Sequence, residues 1–191
     1  MSMNSLRPET IADNTIVEIS YELREGGPQG PLLEIMSENW PLKFYFGAGV
    51  MLPAFENNLR GLREGERFSF TLTTDEAYGR IKPDLIREIN LSELPETEYF
   101  PNRVYEKGDY VQFQFSPSEN PLTGVVTEVL PNSIVVDFNH SMAGKDLHFS
   151  GRVLFIRQPS ADEAVQKRYI EPNGVRSSSR LSDGSDKYLF D

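Results

Sequence analysis

The sequence predicts an α+β protein in which strands dominate. Three observations carry this. Apolar–polar alternation recurs along most of the chain, whereas helical spacing appears only around Phe55 and after residue 160. Turn chemistry punctuates the alternating runs at EGGPQGP (25–31), GAG (47–49), EGE (64–66) and PNS (131–133). The last apolar run, LHFSGRVLFI (147–156), cannot bury its side chains alone and needs the early strands as partners. The chain therefore leaves a first domain, builds a second strand-rich unit, and returns.

In order, residues 1–12 read as a frayed tail. TIVEISYEL (15–23) alternates, with Ile16, Glu18 and Ser20 in one row and Val17, Ile19, Tyr21 and Leu23 in the other, which predicts a strand. A second apolar run covers 32–36 and another strand 42–46. Pro53 suits a first helical turn, where its missing N–H is not needed. Met51, Leu52 and Phe55 are placed on this short helix; Phe55, Leu59 and Leu62 recur at helical spacing, and Gly61 stops it. RFSFTLT (67–73) is a strand with Phe68, Phe70 and Leu72 on one face. After Tyr78-Gly79 the stretch 81–98 is charged and contains Pro83 and Pro95. Strands return at 110–115, 122–130 and 134–138. A polar loop (139–144), the strand at 147–156 and a short helix at 161–168 follow. Residues 175–191, rich in Ser, Asp and Gly, read as disordered, with Tyr188, Leu189 and Phe190 as a segment that could dock.

Composition excludes several functions. With 38% hydrophobic residues the chain can fill a core. It has no cysteine, so disulfides, thiolate nucleophiles and cysteine zinc sites are ruled out, which fits a reducing, cytoplasmic setting. A net charge of −10 repels phosphate backbones and argues against nucleic acid. No apolar run approaches a membrane span or a secretory signal. Gly47-Ala48-Gly49 lacks the lysine and further glycines of a phosphate loop. His140 and His148, without cysteine or a His-rich segment, read as structural, so no metal and no cofactor are expected. By spacing alone, Phe55 reads as core and Tyr78, beside Gly79, as a turn residue. The acidic run 93–98 reads as a solvated face. Tyr99, Phe100, Tyr105, Tyr110, Phe113 and Phe115 are the densest aromatic stretch. Phe113 and Phe115 are assigned to the second unit's core. A unit of this size cannot bury every ring, so the remainder is a candidate patch for unfolded chains.

The blocks ISYEL, PLKFYFGAGVMLPAFENNLRGLREGERF and DEAYG, followed by NHSMAGKDLHF, resemble the FKBP-type peptidyl-prolyl isomerases. The last block is similar to the signature of their SlyD-like branch, in which an "insert in the flap" domain lies between the two parts of the FKBP domain. The resemblance implies a twisted antiparallel sheet wrapped on a short helix, with an FKBP-type domain at 10–80 and 140–160, an inserted chaperone domain at 81–139 and a tail at 161–191. It implies cis/trans isomerisation of X–Pro bonds in unfolded or partly folded clients, by a monomer. A non-enzymatic holdase on the same scaffold is the alternative, and an adaptor docking partners through its acidic surface and the Tyr188–Phe190 segment is a third reading.

Carried over by position, the resemblance implies a pocket of Tyr21, Leu33, Glu34, Leu42, Met51, Leu52, Phe55, Tyr78 and Phe149. Phe55 would be its floor, and the Tyr78 hydroxyl and Leu52 N–H would be donors to the peptide. Client binding by the insert would fall to Tyr99, Phe100, Tyr105 and Tyr110. Leu33-Glu34 stands where many members have Phe-Asp. Such a pocket needs no nucleophile. The X–Pro bond turns over a barrier of ~18–20 kcal/mol because of its partial double bond. The twisted state loses that conjugation and its carbonyl becomes less polar, so a dry apolar pocket favours it over the planar state.

Overall fold

The computed structural model describes residues 8–94, 104–116, 118 and 120–171. They form two compact units, the first from Met1–Gly79 with Gly144–Asp191 and the second from Arg80–Ala143. Where the first unit is interrupted, the N–H of Gly144 donates to the carbonyl of Gly79 at 2.8 Å. The ends of the insertion are thus adjacent, and the first unit's backbone closes without it.

The first unit is built on β1 (Thr15–Glu25) and β9 (Leu147–Arg157), which pair antiparallel over nearly their full lengths. β4 (Arg67–Leu72) pairs with the other side of β9. β2 (Leu32–Met36) and β3 (Leu42–Phe46) lie end to end along β1. The return of the chain to its first strands is therefore as the sequence requires. Cross-strand register puts Leu23, Phe149 and Phe70 side by side, with Tyr21, Gly151 and Phe68 in the next row. This is the inner face, and α1 (Pro53–Leu59) supplies Phe55 to it. Gly151 is demanded by close approach: a Cβ there would lie 2.1 Å from the Ser20 carbonyl oxygen and 2.7 Å from the Phe68 ring.

Several expectations change. Residues 1–12 are not all frayed: Ile11 is buried, and its N–H and carbonyl bond Leu62 and Gly61 across the end of α1. Met51 and Leu52 precede the helix rather than lie on it, Leu52 being its cap, and Leu62 falls beyond its end. Ile16 belongs to the polar row of β1, yet it is 0% exposed. Its register partners are Tyr45, also buried, and Arg157. The segment after β9 meets this edge through Arg157, the register partner of Ile16. There α2 (Ala161–Gln166) is anchored by Glu163, and Tyr169 lies against Lys43, 3.4 Å from hydroxyl to Nζ, and under the Arg157 guanidinium. A C-terminal strap thus lies at this corner.

The second unit is a four-stranded sheet. Its strands are β5 (Ile86–Asn90), β6 (Tyr110–Phe113), β7 (Leu122–Val129) and β8 (Ser133–Asp137), in the order β5-β8-β7-β6. Ile89, Val111, Val126, Ile134, Val136 and Phe138 form its core. β5 lies in a stretch the sequence marks only as charged. It is an edge strand that buries Ile89 alone, so alternation has almost nothing to report. Phe113 packs on the core as expected. Phe115 is not enclosed: it stacks on Phe113 and Phe138 but stays exposed. His140 and His148 are structural. The first accepts the Met142 N–H at Nδ1, and the second sits between the Ser69 and Thr71 hydroxyls. The docking segment Tyr188–Phe190, like the rest of 175–191, lies outside the described residues.

Candidate active site

The corner between β3 and α1 begins with Gly47, whose φ of +81° suits glycine and whose Cβ would strike the Asp13 side chain. The Gly47 N–H donates to Glu56 at 3.0 Å, which pins the turn to the helix it precedes. Burial pushes the Glu56 carboxyl up, and this hydrogen bond pulls it back part of the way. Pro53 then opens α1 and turns Phe55 onto the sheet.

Phe55 is surrounded by rings. Its centroid lies 4.9 Å from Phe149, 5.9 Å from Phe70 and 6.4 Å from both Tyr21 and Phe44, with edge-on or tilted geometries that suit the ring quadrupoles. Phe55 and Phe149 are both 0% exposed. Neither ring presents surface to solvent. Leu42, Met51 and Leu52 are just covered, Leu52 at 9% exposure, while Leu33, Glu34 and Tyr78 are half-buried. Phe44 and Phe70 complete the cluster and are absent from the predicted set. The Phe-x-Phe alternation at 68–70, opposite Phe149, was the signal for the second of them.

Polar groups edge the cluster. The Tyr21 hydroxyl donates a short hydrogen bond to a Glu34 oxygen. Burial, then the Glu34 charge, pushes the Tyr21 phenol well above its usual value, and the same two causes raise Tyr78. Both therefore remain hydroxyl donors at neutral pH. Burial raises the Glu34 carboxyl, and the Tyr21 hydrogen bond lowers it in part. The β1–β2 register slips between Leu23 and Arg24, leaving Leu33 as the extra residue of a bulge. A bulge re-aims side chains. Leu33 and Glu34, which a regular strand would send to opposite faces, are freed from that alternation here. The N–H of Leu52, just before α1, meets no acceptor among the described residues.

The predicted residues of the first unit are thus drawn from β1, β2, β3, the α1 corner, the turn at Tyr78 and β9. An open groove of about 660 Å³ elsewhere on this unit, at 20–22, 35–38, 67–69 and 150–152, is bordered by Tyr21 alone of that set. In the second unit Tyr105 packs against the core and Tyr110 is exposed, while Tyr99 and Phe100 lie outside the described residues. No helix among the described residues is long and apolar enough to cross a membrane.

Comparison with known proteins identifies the family. A family model described as FKBP-type peptidyl-prolyl cis-trans isomerase matches residues 7–119. The chain is 32% identical over 161 residues to the FKBP-type peptidyl-prolyl cis-trans isomerase SlyD of Treponema pallidum (strain Nichols), covering 84% of this chain and 86% of that one. It is 30% identical over 168 residues to the SlyD of Pasteurella multocida (strain Pm70), covering 86% and 78%. It is 26% identical over 157 residues to that of Escherichia coli (strain K12), covering 80% and 74%. An aromatic cluster backing a helix cap, two neutral tyrosine hydroxyls and these matches converge on one assignment: the chain belongs to the FKBP-type peptidyl-prolyl cis-trans isomerases, and within them to the SlyD type.

Proposed function

We propose that the X–Pro bond is twisted against the surface made by Leu33, Leu42, Met51, Leu52 and Tyr78, with Tyr21 and Glu34 at its edge and Phe55 and Phe149 as rigid backing. The proline ring packs on these apolar side chains and excludes water from the imide. The twisted imide, having lost conjugation, is less penalised by desolvation than the planar one. The Leu52 N–H and the Tyr78 hydroxyl hold the flanking carbonyls in place. A thousandfold acceleration requires about 4 kcal/mol, at ~1.36 kcal/mol per decade. Burial plus two oriented donors are of that order, without proton transfer.

The observation that supports this most is the Leu52 N–H. Among the described residues it is a donor without an acceptor, immediately before the helix that carries Phe55 and among side chains that are otherwise nearly covered. Nearly buried N–H groups without partners are rare, and a ligand carbonyl is a natural one. In a protease-free assay of proline-limited refolding, Tyr78→Phe is expected to lose about three- to tenfold in kcat/KM, the worth of one hydrogen bond, with Tm nearly unchanged. Equal rates for the variant and its parent would remove Tyr78 from the site.

The second unit is proposed to hold unfolded clients. Val104, Tyr110, Phe115, Leu122 and Val129 are exposed there, more large apolar side chains than a sheet of this size needs to show. Clients are proline-containing polypeptides, bound by a monomer in the cytoplasm. Joining Gly79 to Gly144 in place of Arg80–Ala143 is expected to leave turnover of an X–Pro tetrapeptide within about threefold. The same deletion should lower acceleration of protein refolding at least tenfold, because local client concentration is lost. Full acceleration by the shortened chain would exclude client capture by the insert.

A further inference from the structure

Resting on the isomerase site above, the arrangement of β2 adds a rule about substrates. Glu34 is opposite Leu23 in register, and Leu23 is opposite Phe149, so Glu34 belongs to the sheet face that carries the aromatic cluster. Its one hydrogen bond comes from the Tyr21 hydroxyl, and among the described residues it forms no ion pair with a lysine or arginine. Nearby basic residues are engaged elsewhere: Lys43, the nearest in sequence, pairs with Glu171. Arg24 pairs with Glu22 and donates to the Gly30 carbonyl, and Lys145 pairs with Glu25. A half-buried carboxylate beside a substrate surface, held by a neutral phenol and left without a counter-ion, is a vacancy for a cation brought by the substrate.

We propose that Glu34 determines charge specificity: the site favours prolyl bonds with lysine or arginine next to the proline and disfavours those with aspartate or glutamate. The bulge at Leu33 is what makes this possible, since it lets the apolar residue that meets the proline ring and the acid that meets its neighbour stand side by side. The phenol of Tyr21 fixes the carboxylate, so little side-chain freedom is lost when a cation arrives. Because the site is half-exposed, the interaction is attenuated by solvent, and the effect is on the order of tenfold rather than thousands.

The test uses the full chain and six X–Pro tetrapeptides, with lysine, norleucine or glutamate placed either before or after the proline, in a protease-free isomerisation assay at low ionic strength. The expected result is a lysine-to-glutamate ratio in kcat/KM of about tenfold at one of the two positions, with norleucine between them. Glu34→Gln should bring that ratio to near one, whatever it does to absolute rates, because the ratio is taken within one variant. Glu34→Ala serves the same purpose if the glutamine variant does not fold. Equal rates for lysine and glutamate peptides at both positions would overturn the inference and leave the isomerase reading standing. A ratio that survives removal of the carboxylate would also overturn it, assigning the preference to the overall charge of −10. No acceleration of any peptide would overturn the isomerase reading, and this rule with it.

Discussion

Phe55→Ala is expected to abolish most turnover and to lower stability by about 3–5 kcal/mol, the range for removing a fully buried aromatic ring. The side chain has no exposure and packs against the rings of Tyr21, Phe44, Phe70 and Phe149. Its removal leaves a cavity between a helix and a sheet that cannot close without moving one of them. The same shift would carry Leu52, at the start of α1, away from its place beside the substrate surface. Refolding catalysis and chemical denaturation, measured on one preparation, separate the two losses. Phe55→Leu should recover much of the stability while kcat/KM remains at least tenfold low, because leucine fills volume but cannot back the site with a flat ring. A Phe55→Leu variant with parental activity would show that filling the volume suffices.

Glu163→Gln should lower the unfolding free energy by about 3 kcal/mol and Tm by about 6–10 °C. Glu163 is 1% exposed, and its two oxygens accept four bonds: both terminal nitrogens of Arg157 at 2.7 Å, the Ser160 N–H at 2.8 Å and the Ile170 N–H at 3.1 Å. Burial alone would raise this carboxyl, but the hydrogen bonds from Arg157, Ser160 and Ile170 outweigh it and bring it down to about 2. The sign follows from linkage. The folded value lies below the unfolded value of 4.5, so the stabilisation is complete above about pH 4.5 and disappears as pH falls toward 2. Loss of stability between pH 4.5 and 2 should therefore be steeper in the parent than in Glu163→Gln. Replacing both Arg157 and Glu163 by methionine should recover part of the loss, since most of it arises from stranding one charge. An unchanged Tm for Glu163→Gln would show that the strap is not held by this carboxylate.

The strap also marks a limit of sequence reading. Nothing in the alternation of TIVEISYEL separates Ile16 from Glu18 and Ser20; yet Ile16 is fully buried, and a segment about 150 residues later holds its register partner Arg157. Ile11 is buried for a related reason, through bonds to residues 61 and 62. Leu33 and Glu34 were nameable as site residues only by resemblance to a family. The bulge at Leu33 arises from pairing with β1, which has no local signature. The opposite case is Phe55: its spacing with Leu59 said core, the family said pocket floor, and the structure encloses it among the rings of Tyr21, Phe44, Phe70 and Phe149.

What the sequence determined alone was the succession of elements. Alternation and short apolar runs located the described strands other than β5, Pro53 the helix start, and the isolated final strand the interruption of the first domain. These are local signals, because backbone period and turn chemistry act within a few residues. The tertiary structure decided which faces are covered, where the register slips, and which polar groups find partners. These depend on segments far apart in the chain meeting, and no local period encodes that. The edge strand β5, the enclosed ring of Phe55 and the carboxylate of Glu34, which has no counter-ion among the described residues, all belong to this second class.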